Sequence, residues 1–283
     1  MKRFTLTRLE PLDSLPLDES RGREASEPMR EVLTMWRHTK MVVLVALTAA
    51  VYAAILIPLK GVPLIPGFTE VRPANVVPVV FSLLFGPAGA WGAAFGNLIG
   101  DFFGTLGLGS IFGFVGNFFY GLVPYKLWGK MGPLSSGQAL DARSTRQLLE
   151  YLLVAFLASV SCAVIIAWGV DLFGLVPFGV LAPIITLNNF IAAAILGPFL
   201  LWLMYPRAKR WDILWTEILE PGEISRAPRP WVGAALMWIG GIGGLVAGVA
   251  ISTGLYGTAA ASLGVVASVI PFLLLFFLGC FLA

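Results

Sequence analysis

The chain is poor in the residue types that mark an enzyme or a disulfide-stapled domain. Across 283 residues there is one histidine and there are two cysteines. The histidine, His38, has no companion at ligand spacing, which argues against a metal centre. Cys162 and Cys280 lie far apart inside apolar runs, where thiols pack as small hydrophobes rather than forming a disulfide framework. Phosphate-cradling GxxxxGK[ST] loops and HExxH helices are missing, and a lone histidine on a basic flank cannot complete a Ser/His/Asp set. No catalysis, no ATP hydrolysis by the chain itself, no cofactor and no nucleic-acid partner are therefore expected. Charge is scarce too: 12% of residues are charged against 58% hydrophobic.

What is present is apolar sequence in runs long enough to require lipid. The expected fold class is an all-α polytopic membrane protein with about eight transmembrane helices. Residues 1–35 mix both signs of charge with Pro, Ser and Gly and carry no apolar signal-peptide core, so a disordered cytoplasmic tail is expected there. Trp36 to Lys40 reads as an interfacial anchor. Apolar spans are expected at about 41–59, 73–85, 88–103, 111–128, 148–170, 180–205, 231–252 and 259–282. The second and third are either two short crossings or a re-entrant pair, and both choices return the chain to the same side. Basic residues fix the orientation. Eight lie in the first 40 residues, four between 126 and 147 and five between 206 and 230, which leaves 17 of 19 on one side. The positive-inside rule makes that side, and both termini, cytoplasmic.

Within this frame the run from Gly86 to Gly121 holds eleven glycines. Gly92, Gly96, Gly100 and Gly104 fall four apart, a smooth ridge for close helix approach, with Ala93, Asn97 and Asp101 beside it. A carboxylate in such surroundings is costly unless it faces protein or water, and so marks a functional candidate. Gly240, Gly244 and Gly248 form a second ridge. The first span carries two small-residue stripes, Ala46, Ala50 and Ala54, with Ala49 and Ala53 beside them. Polar groups outside the cytoplasmic loops fall mostly in the outer half. Glu70, Arg72, Asn97, Asp101, Asn117, Trp168, Asn188 and Asn189 are the candidates for an outward pocket, walled by aromatics such as Trp91, Phe102, Phe103, Tyr120 and Trp168. Plainer roles compete for each: Glu70 and Arg72 can pair with one another, and the asparagines can serve as interhelical hydrogen bonds.

The stretch VRPANVVPVVFSLLFGPAGAWGAAFGNLIGDFFG, following an alanine-striped first helix and a Pro-rich external loop, resembles the substrate-binding S components of energy-coupling factor (ECF) vitamin transporters. The resemblance covers about residues 36–207, a six-helix core. It implies capture of a vitamin-like small molecule, a coupling contact through Ala46, Ala50 and Ala54 or through Ala49 and Ala53, and closure of the 60–72 loop over the substrate. It further implies a pocket near Asn117, Trp168 and Asn188 or Asn189, an ECF transmembrane coupling subunit and separate ATPases, and a prokaryotic cell membrane as location. The cytoplasmic linker 208–230 and the two extra helices of 231–283 depart from the pattern. A stand-alone secondary transporter or channel and a non-transporting scaffold are the competing classes.

Overall fold

The computed structural model describes residues 29–61, 63–65, 69–70, 72–137, 144–225, 227–255 and 261–283. A short helix α1 (Arg30–Thr34) leads into α2 (Thr39–Leu56), and two short strands, β1 (Pro63–Ile65) and β2 (Thr69–Glu70), pair antiparallel. Then follow α3 (Val76–Phe85), α4 (Pro87–Asp101), α5 (Gly109–Leu127), α6 (Thr145–Leu172) and α7 (Phe178–Arg210). A four-residue helix α8 (Trp215–Ile218) precedes the closing pair α9 (Pro230–Gly254) and α10 (Ala261–Leu282). Among the described residues, α2, α6, α7, α9 and α10 are long and apolar enough to cross a membrane. The protein is an all-α polytopic membrane protein. The other three expected spans are helices of a different kind: α3 has 10 residues and α4 has 15, while the glycines of α5, with Asn117 and Lys126, dilute its hydropathy.

Helix α3 is the axis of the bundle. All ten of its residues are buried, and it packs against α2, α4, α5 and α7. The turn into α4 depends on Gly86, whose φ of +57° and ψ of −130° suit a residue without a side chain, with Pro87 supplying the first helical position. Beyond the turn, a Cβ on Gly89 would lie 2.5 Å from the Ser82 backbone, so the two arms touch main chain to main chain. The resulting hairpin starts and ends at the same end of the bundle.

The first three members of the glycine ridge face α2. A Cβ on Gly92 would come within 2.3 Å of Thr48, on Gly96 within 2.9 Å of Tyr52 and on Gly100 within 2.5 Å of Leu56. Gly104 lies beyond the helix, in the loop to α5, with nothing within 4 Å of an added Cβ. The same packing divides the alanine stripes. Ala49 and Ala53 are buried against the bundle, whereas Ala46, Ala50 and Ala54 are exposed on its outer face.

The last two helices form a hairpin laid on α6 and α7. Their ridge packs inward: Gly240 meets Phe276 of α10, Gly244 meets Val164 of α6, and Gly248 meets the ring of Phe178 on α7. Asp171 anchors this hairpin at its charge-poor end, where the carboxylate accepts hydrogen bonds from Ser262 Oγ at 2.8 Å and Phe178 N at 3.2 Å.

The expected disordered tail is corrected over its final residues. Residues 1–28 lie outside the described residues, but from Arg30 the chain is helical, with Glu31, Val32 and Met35 buried. The cause is an ion pair under cover: Lys126 Nζ lies 3.2 Å from Glu31 Oε1, and Tyr125 Oη donates to the same oxygen at 3.0 Å. Ser225 donates to the other carboxylate oxygen through both its hydroxyl and its backbone N–H. Burial alone would push the Glu31 carboxyl up, but Lys126, Ser225 and Tyr125 outweigh it and hold the group below its ordinary value.

Candidate functional site

At the charge-poor end, α4, α5, α6, α7 and the loop between α4 and α5 enclose a cavity of about 420 Å³. Arg72, Asn97, Asp101, Asn117 and Asn189 supply its polar side, and Ile166, Val170, Leu181 and Ile185 its apolar wall. The carboxamides are positioned by one another. Arg72 Nη1 donates to Asn97 Oδ1 at 2.9 Å, Asn97 Nδ2 donates to Asp101 Oδ2 at 3.2 Å, and Thr105 Oγ1 donates to Asp101 Oδ1 at 2.9 Å. Asn97 and Asp101 sit one helical turn apart on α4, which is why the Asn97 amide can donate to the Asp101 carboxylate along one face.

A second chain of bonds forms the floor. Asn75 Nδ2 donates to Asn189 Oδ1 at 2.5 Å, and the Tyr52 hydroxyl lies 2.7 Å from Asn75 Oδ1 and 3.1 Å from Asn117 Oδ1. One hydroxyl proton serves both acceptors in turn. Asn117 Nδ2 donates back to Gly113 O at 2.8 Å, and the Tyr120 hydroxyl bonds to the carbonyls of Asn75 and Asn189. Main chain joins the two networks: Arg72 N donates to Asn188 Oδ1 at 3.3 Å, next to Asn189. Gly113 makes the assembly possible, since a Cβ there would stand 3.0 Å from Asn97 Nδ2 and 3.5 Å from Asp101 Oδ2.

Of the eight residues read from sequence, Arg72, Asn97, Asp101, Asn117 and Asn189 line the cavity, and Asn188 stands behind Arg72. Trp168 does not join them. Its indole N–H donates to Val266 O of α10 at 3.5 Å, and its ring packs edge-on against Phe112. Glu70 falls in β2, and its side chain lies outside what the structure describes, as do the side chains of the other residues from 60 to 71. The expected aromatic wall is also corrected. Trp91 stacks among Trp36, Phe95 and Phe118, Tyr120 is sealed below the floor, and Phe102 and Phe103 are exposed on the outer surface. Aliphatic side chains take the wall instead. The 104–110 loop and the Tyr52 hydroxyl are parts of the site that sequence reasoning missed. Tyr52 carried one signal, a polar-tipped ring within an otherwise aliphatic stripe one turn from Thr48.

The cavity's lining side chains among the described residues carry one cation and one anion, bridged by Asn97, so the site is formally balanced. No cluster of three or more His, Cys, Asp or Glu able to hold a metal ion occurs among the described residues. Compared with known families, residues 42–206 match the family described as QueT transporter, more than half of the chain. The chain belongs to the QueT transporter family. That bears out the S-component resemblance read from residues 71–104, and a transporter family, not an enzyme family, is what the sequence led one to expect. The QueT match starts within α2 and stops within α7, so it takes in every described residue lining the cavity and leaves out the α9–α10 hairpin. No curated protein and no solved structure matches the chain.

Proposed function

We propose that the chain is the substrate-binding subunit of an ECF-type importer, taking up a queuosine precursor from outside a prokaryotic cell. The observation that carries this reading is the coincidence of the family match with the cavity: all lining residues, from Arg72 to Asn189, fall inside residues 42–206. QueT is an S component for queuosine precursors. These are substituted deazapurines, planar rings edged with donors and acceptors. A balanced Arg72–Asn97–Asp101 group with further carboxamides at Asn117 and Asn189 suits a polar ligand of low net charge better than a free phosphate. Glu70, Asn188 and the 60–72 loop complete the site on this reading, with the loop as its cover.

The distribution of basic residues supports cytoplasmic termini and an outward-facing cavity. The exposed stripe Ala46, Ala50 and Ala54 is the contact for the coupling subunit, while separate ATPases supply the energy. Ala49 and Ala53, turned inward, are packing residues.

The test is ligand binding to the purified chain in nanodiscs, by calorimetry, together with mass spectrometry of any copurified molecule. Asn97→Leu and Asn189→Leu each remove a hydrogen-bonding partner worth about 1–3 kcal/mol, roughly a ten- to hundredfold loss of affinity. Unchanged affinity in both variants rejects the site. Ion-gradient-driven uptake by the lone protein in liposomes, without ATP, rejects the ECF reading in favour of a secondary transporter.

A further inference from the structure

A second cavity, of about 430 Å³, lies at the opposite, basic end of the bundle, where α5 ends and the segment between α7 and α9 folds over it. Its chemistry is unlike that of the first. Tyr125, Trp128, Tyr205 and Trp215 give it four aromatic side chains, and Lys130 gives it a cation. The nearby acids are already engaged. Glu31 is held by Lys126, Tyr125 and Ser225, and Glu150 accepts from Gly129 N at 2.8 Å and from Ser136 N and Oγ. Two donors here are under-used. The Trp128 indole N–H is buried with no acceptor, and the described partner of the Lys130 ammonium is the Ala283 main-chain oxygen at 2.9 Å, one acceptor for three N–H groups.

We propose that this basic-end cavity is a second ligand site, which takes a small planar aromatic molecule bearing a negative charge. Rings stack or pack edge-on against Trp and Tyr faces, and the charged group meets the Lys130 ammonium and the Trp128 N–H. Burial and the neighbouring Lys126 lower the Lys130 ammonium to about 8, with Glu31 opposing them only in part. Among the described residues the site differs from the outer cavity in both features that select a ligand, since no described aromatic side chain lines the outer cavity and its described charges balance. It also has a mechanical consequence. Trp215 packs against the Gly86 turn, and Leu83 of α3 lines the cavity, so a ligand there ties the α7–α9 segment to the tip of the central hairpin.

The experiment uses the full chain in nanodiscs and adenosine 5′-monophosphate as probe, with adenosine as ring without charge and inorganic phosphate as charge without ring. Indole-3-acetate serves as a second ring-plus-anion probe. Saturable binding of at least one ring-plus-anion probe is expected, about tenfold tighter than either control. Lys130→Met is expected to weaken it about tenfold, and Trp128→Phe, which keeps a ring and deletes the N–H, severalfold. Thr216→Trp, an exposed position at the rim, is expected to block entry without disturbing the fold. Asn189→Leu, in the outer site, is expected to leave this binding unchanged, which separates the proposal from the outer-site reading. Absence of saturable binding by both ring-plus-anion probes overturns the site, as does wild-type affinity in Lys130→Met and Thr216→Trp, or loss of binding in Asn189→Leu.

Discussion

Gly113 shows how a residue without a side chain can govern a site. It leaves α4 and α5 close enough for Asn97 and Asp101 to meet the cavity, and a methyl group there would press on Asn97 Nδ2 at 3.0 Å. Gly113→Ala is expected to weaken ligand affinity about tenfold while shifting the thermal midpoint little, because the group that must yield is one amide rather than packed backbone. At the other end, Lys126→Met strands the buried Glu31 carboxylate and is expected to cost about 3–5 kcal/mol. In the parent, the Glu31 pKa is lowered on folding, so its contribution is present above the ordinary carboxylate value and lost as pH falls through the folded value. Denaturation followed from pH 7 into the acid range should show that loss in the parent and not in Lys126→Met. Lys130 titrates the opposite way: its charge disappears as pH rises through about 8, so binding of adenosine 5′-monophosphate should weaken between pH 7 and pH 9. The charged groups acting on Lys130 are Lys126 and Glu31, and the phosphate, with a second pKa of about 6, is already mostly doubly ionised at pH 7, so its small further gain of charge does not offset the loss.

At the level of the helix, the two faces of α2 make separable predictions. Ala50 is exposed and Ala49 is buried beside Gly96. Ala50→Trp is expected to abolish coupled transport while leaving ligand affinity unchanged, and Ala49→Trp to destabilise the chain itself by overpacking, by about 1–3 kcal/mol or more. Transport assays with the coupling and ATPase subunits, set against thermal unfolding of the isolated chain, distinguish them. The sequence made both stripes visible, since small residues four apart are a periodic signal, but it could not say which stripe faces inward. That choice is made by where Gly92, Gly96 and Gly100 dock, a tertiary fact with no local trace. Trp168 is the same problem in reverse. Its depth along α6 was readable, but its rotation toward Val266 depends on α10, nearly a hundred positions later.

Across the whole molecule, the apolar runs and the turn residues marked every long helix to within a few residues, because hydrophobic length and Gly/Pro breaks are local properties. The carboxamide network was legible only as a set of isolated polar residues at similar depth. Its connectivity, from Tyr52 through Asn75 to Asn189, joins three helices that sequence cannot juxtapose. Among the described residues, the α9–α10 hairpin contributes none to the lining of the outer cavity. A chain ending at residue 229 is therefore expected to keep ligand affinity within a few-fold of the parent, but to unfold at lower temperature, since Asp171 and Gly179 N lose their partners Ser262 and Ser252. Affinity lost in step with the deletion, in protein that remains folded, would assign those helices a part in binding.

The burial of all ten α3 residues also has a consequence for biosynthesis. A helix of this length reaches about 15 Å, half of the roughly 30 Å hydrocarbon layer, so α3 cannot hold a transmembrane position on its own. Its partner α7 begins at Phe178, about a hundred residues after Val76. The hairpin must therefore wait near the membrane surface while translation proceeds, and be drawn in late. A cysteine placed at Val80 should react with an impermeant maleimide in nascent chains arrested before α7, and become protected once α7 has left the ribosome.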